Sequence, residues 1–161
     1  MQEEPVCILL AMFGFLLGSI PFGIVVSKAL NLSDPRTVGS KNVGFTNVLR
    51  VSGTRAGVLT LLGDMGKGWV MGWAAMQWLT TESFIMVVAV SPILGHLFSP
   101  FLAFRGGKGV ATALGAVLGG CPGVLLAQST SSALLRPAAS VLWRGSPLQQ
   151  AAIPSGAGPV A

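Results

Sequence analysis

Charged residues are scarce in this chain of 161 residues and make up only 9% of the sequence. A typical soluble domain carries about 25% charged residues, so these side chains are too few to cover an ordinary water-facing surface. Hydrophobic residues account for 52% of the sequence, a content that excludes disorder over most of the length. The composition therefore predicts an integral membrane protein whose outer surface is covered by lipid.

Candidate metal ligands are also few. The chain has one histidine, His96, and two cysteines, Cys7 and Cys121, which lie far apart in apolar stretches. A structural zinc site needs several Cys or His ligands at short spacings, and the sequence has no such cluster. We therefore predict no metal site and interpret both cysteines as small apolar side chains.

The residues before the first apolar stretch are acidic. A secretory signal has Lys or Arg before its apolar run, whereas Glu3 and Glu4 precede the run here. The first apolar stretch is therefore predicted to remain in the mature protein as a transmembrane helix.

Four apolar stretches approach the length of about 20 residues that a transmembrane helix needs. They cover residues 5–32, 56–79, 83–104 and 110–128. The fold class predicted is all-α, a polytopic membrane helix bundle with about four transmembrane helices, in which Pro21 kinks the first. Residues 1–128 form this helical domain, and residues 129–161, rich in Pro, Ser, Ala and Gly, form an irregular tail.

Positive charges are concentrated between the predicted helices. Residues 28–55 contain five Lys or Arg residues, and the turn at residues 105–109 contains two more. Short loops rich in Lys and Arg stay in the cytoplasm, so both segments are expected inside. The N-terminus and the turn at residues 80–83 are expected outside.

The first basic segment, residues 33–55, is predicted to be a polar loop that binds an anion. It combines glycines, hydroxyls, amides and guanidinium groups, and glycine lets a backbone N–H turn toward an anion. Its candidate residues are Gly39, Ser40, Asn42, Asn47 and Arg50. The alternative is a topology signal that contacts lipid headgroups.

The second basic segment, residues 105–109, reads RGGKG. Gly106, Gly107 and Gly109 would let backbone amides close on phosphate oxygens, while Lys108 supplies a positive charge. A helix predicted from about residue 110 would direct its positive dipole end to the same place. The alternative is a simple connecting turn. The segment lacks the Ser or Thr after Lys108 that a Walker loop requires, so it does not favour ATP or GTP hydrolysis.

Three ionisable residues lie within predicted transmembrane helices. Asp64 and Lys67, three residues apart, share one helix face and form either a structural clamp or part of a substrate site. His96 is either a hydrogen-bonded packing residue or a general base.

Four ordered segments closely resemble the bacterial acyl-phosphate:glycerol-3-phosphate acyltransferase family. They are GSIPFG, DPRTVGSKNVGFTNVLR, LGDMGKG and GHLFSPFLAFRGGKGVATALG, between about Gly18 and Gly119. The resemblance implies an inner-membrane enzyme with seven helices and a site that faces the cytoplasm. It also implies transfer of an acyl group from acyl phosphate to the 1-hydroxyl of glycerol 3-phosphate, which gives lysophosphatidic acid and phosphate.

The partners implied are glycerol 3-phosphate, acyl phosphate and membrane lipids, with no cofactor, metal or nucleic acid. The catalytic residues implied are Ser40, Arg50 and Lys108. Residues expected to bind substrate or phosphate are Gly39, Asn42, Asn47, Lys67, His96, Gly106, Gly107 and Gly109.

The sequence also departs from the family pattern. Lys41 and Phe45 occupy positions where the family usually has glycine and alanine. The family's later motifs, including a final His-x-x-Asn, are not found after about residue 120, as expected for a truncated or frame-shifted chain. Two other interpretations are therefore an inactive remnant of the family and a non-enzymatic membrane protein that binds or transports an anion.

Overall fold

The computed structural model describes residues 3–120, and every regular element in that range is helical. The elements are α1 (Glu3–Ser19), α2 (Phe22–Ala29), α3 (Phe45–Trp78), α4 (Glu82–Leu97), a 3₁₀ turn (Pro100–Leu102) and α5 (Val110–Leu118). The all-α prediction is confirmed for this part of the chain. Cys121, the end of the fourth predicted span and the tail at residues 129–161 lie outside the described residues.

The first predicted span is a broken helix. α1 ends at Ser19, α2 begins at Phe22, and the two axes are bent by 45°. Pro21 lies at the break, where it has no backbone N–H to continue the helical hydrogen bonds. The predicted kink at Pro21 is therefore confirmed.

The sequence predicts four membrane spans. Within residues 3–120, fewer helices are long and apolar enough to cross a membrane. Among residues 3–120, the segment Glu82–Leu102 passes by itself, and α1 with α2 passes if the bent pair is one span. α3 is long enough, but Asp64 and Lys67 lower the hydropathy of its apolar half. α5 is nine residues long and ends at Leu118.

α1 and α4 run in the same direction along each other. At one end, the Glu3 carboxylate accepts hydrogen bonds from the backbone N–H groups of Thr80 and Thr81, at 3.2 and 3.1 Å. At the other end, the Ser99 hydroxyl donates to the Ser19 carbonyl oxygen at 2.6 Å. The ends of α1 and α4 therefore lie together.

α3 runs opposite to α1, and α5 runs parallel to α3. Lys67 contacts the Gly18 carbonyl, and Met71 lies beside Gly14 one turn earlier in α1. The loop before α3 and the turn before α5 are consequently at one end of the bundle. This agrees with the expectation that both basic segments lie on one side.

Glycines allow α3 and α5 to pack with their backbones in contact. A Cβ atom at Gly68 would lie 1.9 Å from the Thr112 carbonyl oxygen, and one at Gly72 would lie 2.5 Å from the Ala116 carbonyl oxygen. From the α5 side, a Cβ at Gly115 would lie 1.9 Å from the Met65 carbonyl oxygen. Small residues allow this close approach between helices in lipid.

The substitution Gly68→Ala is expected to lower the free energy of unfolding by about 1–3 kcal/mol, because the new methyl group must push α5 away. Gly66→Ala is the matched control, since a Cβ at Gly66 would meet no atom within 4 Å. The control should be neutral or stabilising by up to about 1 kcal/mol, from helix propensity alone. Thermal unfolding in detergent measures both, and equal stabilities of the two variants would contradict the packing argument.

Residues 45–55, which were predicted to belong to the polar loop, are part of α3, so the loop ends at Gly44. Tertiary contacts outweigh the weak helix propensity of this polar segment. Val48 is completely buried. Gly53 interrupts the helix with φ of +84°, which folds the first turns back so that Leu49 lies against Gly57.

Candidate functional site

A small buried hydrophobic cluster connects the first basic segment to the 3₁₀ turn that precedes the second. It joins Ile24 of α2, Val43 at the end of the polar loop and Leu102 of the 3₁₀ turn. Gly23 brings α2 close to the loop, because a Cβ there would lie 1.9 Å from the Val43 carbonyl oxygen. Val43 closely follows Ser40, and Leu102 precedes Arg105 by three residues. This contact holds both segments at the same end of the bundle.

Asn47 organises the polar loop from inside. It is 2% exposed, and its Nδ2 donates to the carbonyl oxygens of Pro35, Val38 and Asn42 at 2.9, 3.2 and 2.9 Å. Its Oδ1 accepts the Ser40 N–H at 2.8 Å. These bonds use both hydrogens of Nδ2 and a lone pair of Oδ1, so Asn47 shapes the loop, and the substrate contact expected from the sequence stays a prediction.

The isosteric substitution Asn47→Asp should lower the free energy of unfolding by about 2 kcal/mol or more, because each buried carbonyl left unpaired costs about 1–3 kcal/mol. The new carboxylate oxygen would also face the Pro35 and Val38 carbonyls instead of donating to them. Asn31→Asp is the control, because Asn31 is exposed. Unfolding curves in detergent that shift equally for the two variants would disprove this role of Asn47.

The candidate side chains Ser40 and Arg50 are both exposed at this end of the protein. Gly39 precedes Ser40 with φ of +61°, and a Cβ there would lie 2.4 Å from Asn47 Oδ1. Asn42 Oδ1 accepts the Gly44 N–H at 2.9 Å, which shapes the chain just before α3. The loop therefore presents Ser40 on a backbone that Asn47 holds in place.

Another cation of the polar loop is paired with a carboxylate. Arg36 donates to Asp34 through Nε and Nη2, with the shortest contact at 2.6 Å. These hydrogen bonds hold the pKa of Asp34 below its ordinary value. Arg36 thus braces the start of the loop, whereas Arg50 lies in the first turns of α3.

The turn at residues 105–109 folds back on the end of α4. The Gly106 N–H donates to the Leu97 carbonyl at 3.0 Å, and the Gly107 N–H donates to the His96 carbonyl at 3.1 Å. These carbonyls belong to the last turn of α4, where helical partners are missing. The expectation that these two amides bind phosphate differs from the structure, because α4 already uses both.

Lys108 and Gly109 lie where the turn leads into α5. Lys108 is exposed, and Gly109 is the buried residue before the first turn of α5, with φ of +72°. A residue in this conformation is most easily glycine. The chain thus places the lysine next to a helix N-terminus, as the sequence predicted.

Lys67 is buried and surrounded by acceptors. Its Nζ lies 2.8 Å from the Gly18 carbonyl oxygen, 3.1 Å from that of Ile20, 2.9 Å from Asp64 Oδ1 and 2.8 Å from His96 Nδ1. Both carbonyls lie at the break between α1 and α2, so the ammonium replaces N–H donors that the broken helix lacks. This geometry fits the clamp interpretation and leaves no donor of Lys67 for a substrate.

Phe22 completes the surroundings of Lys67 in a way that the sequence did not reveal. The ammonium lies 5.7 Å from the centre of the Phe22 ring, within the range of a cation–π contact. A Cβ at Gly63 would lie 2.3 Å from the same ring, so that glycine makes room for it. The sequence shows only that a phenylalanine follows the predicted kink, which does not indicate a contact with Lys67.

Comparison with known proteins supports the membrane and acyltransferase expectations. Residues 8–143 match the family described as glycerol-3-phosphate acyltransferase, which extends the similarity beyond both ends of the recognised motifs. A glycerol-3-phosphate acyltransferase of Methylobacillus flagellatus is 56% identical over 108 residues, 67% of this chain and 55% of the relative. The chain thus spans about half the length of that relative.

Solved structures agree with these matches. The crystal structure of PlsY (YgiH), an integral membrane glycerol 3-phosphate acyltransferase in its glycerol 3-phosphate form, has a TM-score of 0.67 at 40% identity and covers 75% of this chain and 61% of that one. Its lysophosphatidic acid form gives a TM-score of 0.66 at 39% identity, with 75% and 60% covered. The chain is accordingly a membrane helix bundle, and it belongs to the glycerol-3-phosphate acyltransferase family.

Proposed function

We propose that this chain transfers a fatty acyl group from acyl phosphate to the 1-hydroxyl of glycerol 3-phosphate, which yields lysophosphatidic acid and phosphate. The observation that carries the proposal is the contact among Ile24, Val43 and Leu102, because it holds two cationic segments at one end of a membrane helix bundle. Both substrates carry phosphate, so a cationic surface beside lipid suits them. Family membership favours this activity over simple anion binding or transport.

The reaction needs little covalent chemistry from the protein. The 1-hydroxyl oxygen attacks the carbonyl carbon of the mixed anhydride, the bond from that carbon to the phosphate oxygen breaks, and phosphate leaves. The hydroxyl proton passes to a phosphate oxygen, so the atoms balance without a further reactant. The protein must mainly position the two phosphorylated substrates and stabilise the charge that develops on the carbonyl oxygen.

The proposed roles follow from charge and exposure. Lys108 and Arg50 hold phosphate oxygens, and the exposed hydroxyl of Ser40 and the amide of Asn42 donate hydrogen bonds. Gly109 allows the N-terminal turn of α5 to face the same anion. The acyl chain stays in lipid or between helices, where no polar partner is required.

The location proposed is the bacterial inner membrane, with the site facing the cytoplasm and the N-terminus outside. The excess of Lys and Arg at the end of the bundle that holds both basic segments supports this orientation. Accessibility of single introduced cysteines to a membrane-impermeant reagent tests it. Positions near Glu3 should react from outside the cell and positions near Lys41 only after the membrane is opened.

The activity is tested with the full chain reconstituted in liposomes, supplied with acyl phosphate and labelled glycerol 3-phosphate. The expected product is labelled lysophosphatidic acid, in an amount that rises with both substrates. Retention of glycerol 3-phosphate without product formation would support the anion-binding alternative, and the absence of both would support an inactive remnant of the family.

A further inference from the structure

His96 lies at the centre of the contact between α4 and the turn at residues 105–109. Its backbone carbonyl accepts the Gly107 N–H at 3.1 Å. A Cβ at Gly107 would lie 2.1 Å from His96 Nε2, so the imidazole occupies the space directly beside the turn. A Cβ at Gly106 would instead lie 1.8 Å from the His96 carbonyl oxygen. The turn therefore packs against His96 at two points. Gly107 lies against the His96 side chain, and Gly106 lies against its backbone carbonyl.

Lys67 and Asp64 both lie beside Nδ1 of His96. An ammonium group can only donate hydrogen bonds, and its nitrogen lies 2.8 Å from His96 Nδ1. An Asp64 carboxylate oxygen lies 3.4 Å from the same nitrogen, so Nδ1 faces both charged groups, and Nε2 lies on the side of Gly107. Asp64 holds the ammonium in place through the 2.9 Å ion pair. The orientation of the ring follows from this buried cluster.

These contacts leave His96 no access to a substrate. The residue is 6% exposed, one ring nitrogen faces Lys67, and the other faces the backbone of the turn. The residue that immediately follows Gly107 is Lys108, which is exposed. An influence of His96 on an anion must therefore pass through the conformation of the turn.

We infer that His96, oriented by Lys67, is a positioning residue that sets the conformation of residues 105–109 and thereby the place of Lys108. This inference rests on the proposed function for its catalytic consequence, although the coupling between His96 and the turn is independent of any substrate. This positioning role differs from the direct substrate contact that the sequence suggested for His96 and Lys67.

The test is a suppressor experiment on the full chain in detergent or nanodiscs. Neither Gly106 nor Gly107 is among the glycines with positive φ, so alanine at either position adds a clash without backbone strain. The single variants are His96→Ala, Gly106→Ala and Gly107→Ala, and the double variants combine His96→Ala with each glycine change. Hydrogen exchange measures the protection factors of amides 106 and 107.

Gly107→Ala should lower these protection factors by about 10-fold or more, because the turn is displaced from α4. Adding His96→Ala removes the ring that clashes, so protection should return to that of the His96→Ala single variant. Gly106→Ala should lose protection similarly, but His96→Ala should not restore it, since the backbone carbonyl remains. Failure to rescue Gly107→Ala, or equal rescue of both glycine variants, would overturn the coupling.

Acyl-transfer kinetics on the same variants test the catalytic consequence. His96→Ala should raise the KM for glycerol 3-phosphate about 10-fold, with a smaller change in kcat, because the anion contact is displaced. Loss of folded protein alone would lower the rate at unchanged KM, and that result would contradict positioning. An inactive parent chain would refute the proposed function, while the hydrogen-exchange result would still decide the coupling.

Discussion

Replacing Lys67 by methionine is expected to lower the free energy of unfolding by about 3–5 kcal/mol, the usual effect of breaking a buried ion pair. The substitution keeps most of the side-chain volume but removes every hydrogen bond of the ammonium. Asp64 would remain as a buried carboxylate without its cation, facing only the His96 ring at 3.4 Å among the partners in this cluster. The carbonyls of Gly18 and Ile20 would lose their donor at the helix break. Thermal or denaturant unfolding in detergent measures the effect.

The double variant Asp64→Asn with Lys67→Met separates the charge from the carbonyl contacts. Removing the carboxylate should recover part of the lost stability, because no buried charge is left unpaired. The remaining deficit then reports the two carbonyls at the helix break. Lys28→Met is the control for loss of an exposed lysine and should change stability by less than about 0.5 kcal/mol. A loss as small for Lys67→Met would show that the cluster contributes nothing to stability.

The Lys67 cluster shows how far sequence reasoning extends. The spacing of Asp64 and Lys67 predicts their ion pair, since residues three apart share one helix face. The other partners, Gly18, Ile20 and His96, are 49, 47 and 29 residues away from Lys67. Such contacts depend on how helices pack in three dimensions, and no local pattern encodes that arrangement. The break at Pro21 was predictable, but the side chain that satisfies its freed carbonyls was not.

The start of α3 was missed for a related reason. Residues 45–55 are polar and rich in residues that usually occur in loops, so local propensity favours an irregular conformation. Val48 is fully buried by the fold, and Leu49 packs against Gly57 across the kink at Gly53. This burial stabilises the helix more than its weak propensity destabilises it. The consequence for the site is that Arg50 projects from a helix and not from a loop.

The sequence correctly predicts a turn at the glycines of residues 105–109, but it does not show what these glycines contact. Glycines beside a lysine predict an anion site because their amides can approach an anion closely. In the fold, Gly106 and Gly107 use this freedom to approach α4, and their amides bind carbonyls there. A sequence shows that glycines leave space beside the backbone, but it does not show which residue fills that space. Lys108 and Gly109 are the residues of the turn that we propose for the contact with phosphate.

Lys108→Ala is expected to lower kcat/KM for acyl transfer by about 10- to 100-fold, mainly by raising KM, because a hydrogen bond from a charged group to a substrate phosphate is worth about 1.5–3 kcal/mol. Lys108 is exposed, so the variant should fold and insert into the membrane normally. Lys108→Arg keeps the charge and should retain more activity than alanine, and Lys28→Ala controls for the loss of an exposed cation elsewhere. Formation of labelled lysophosphatidic acid in liposomes is the measurement. Near-normal product formation by Lys108→Ala would remove this lysine from the site and leave the N-terminus of α5 and Arg50 as the remaining phosphate contacts.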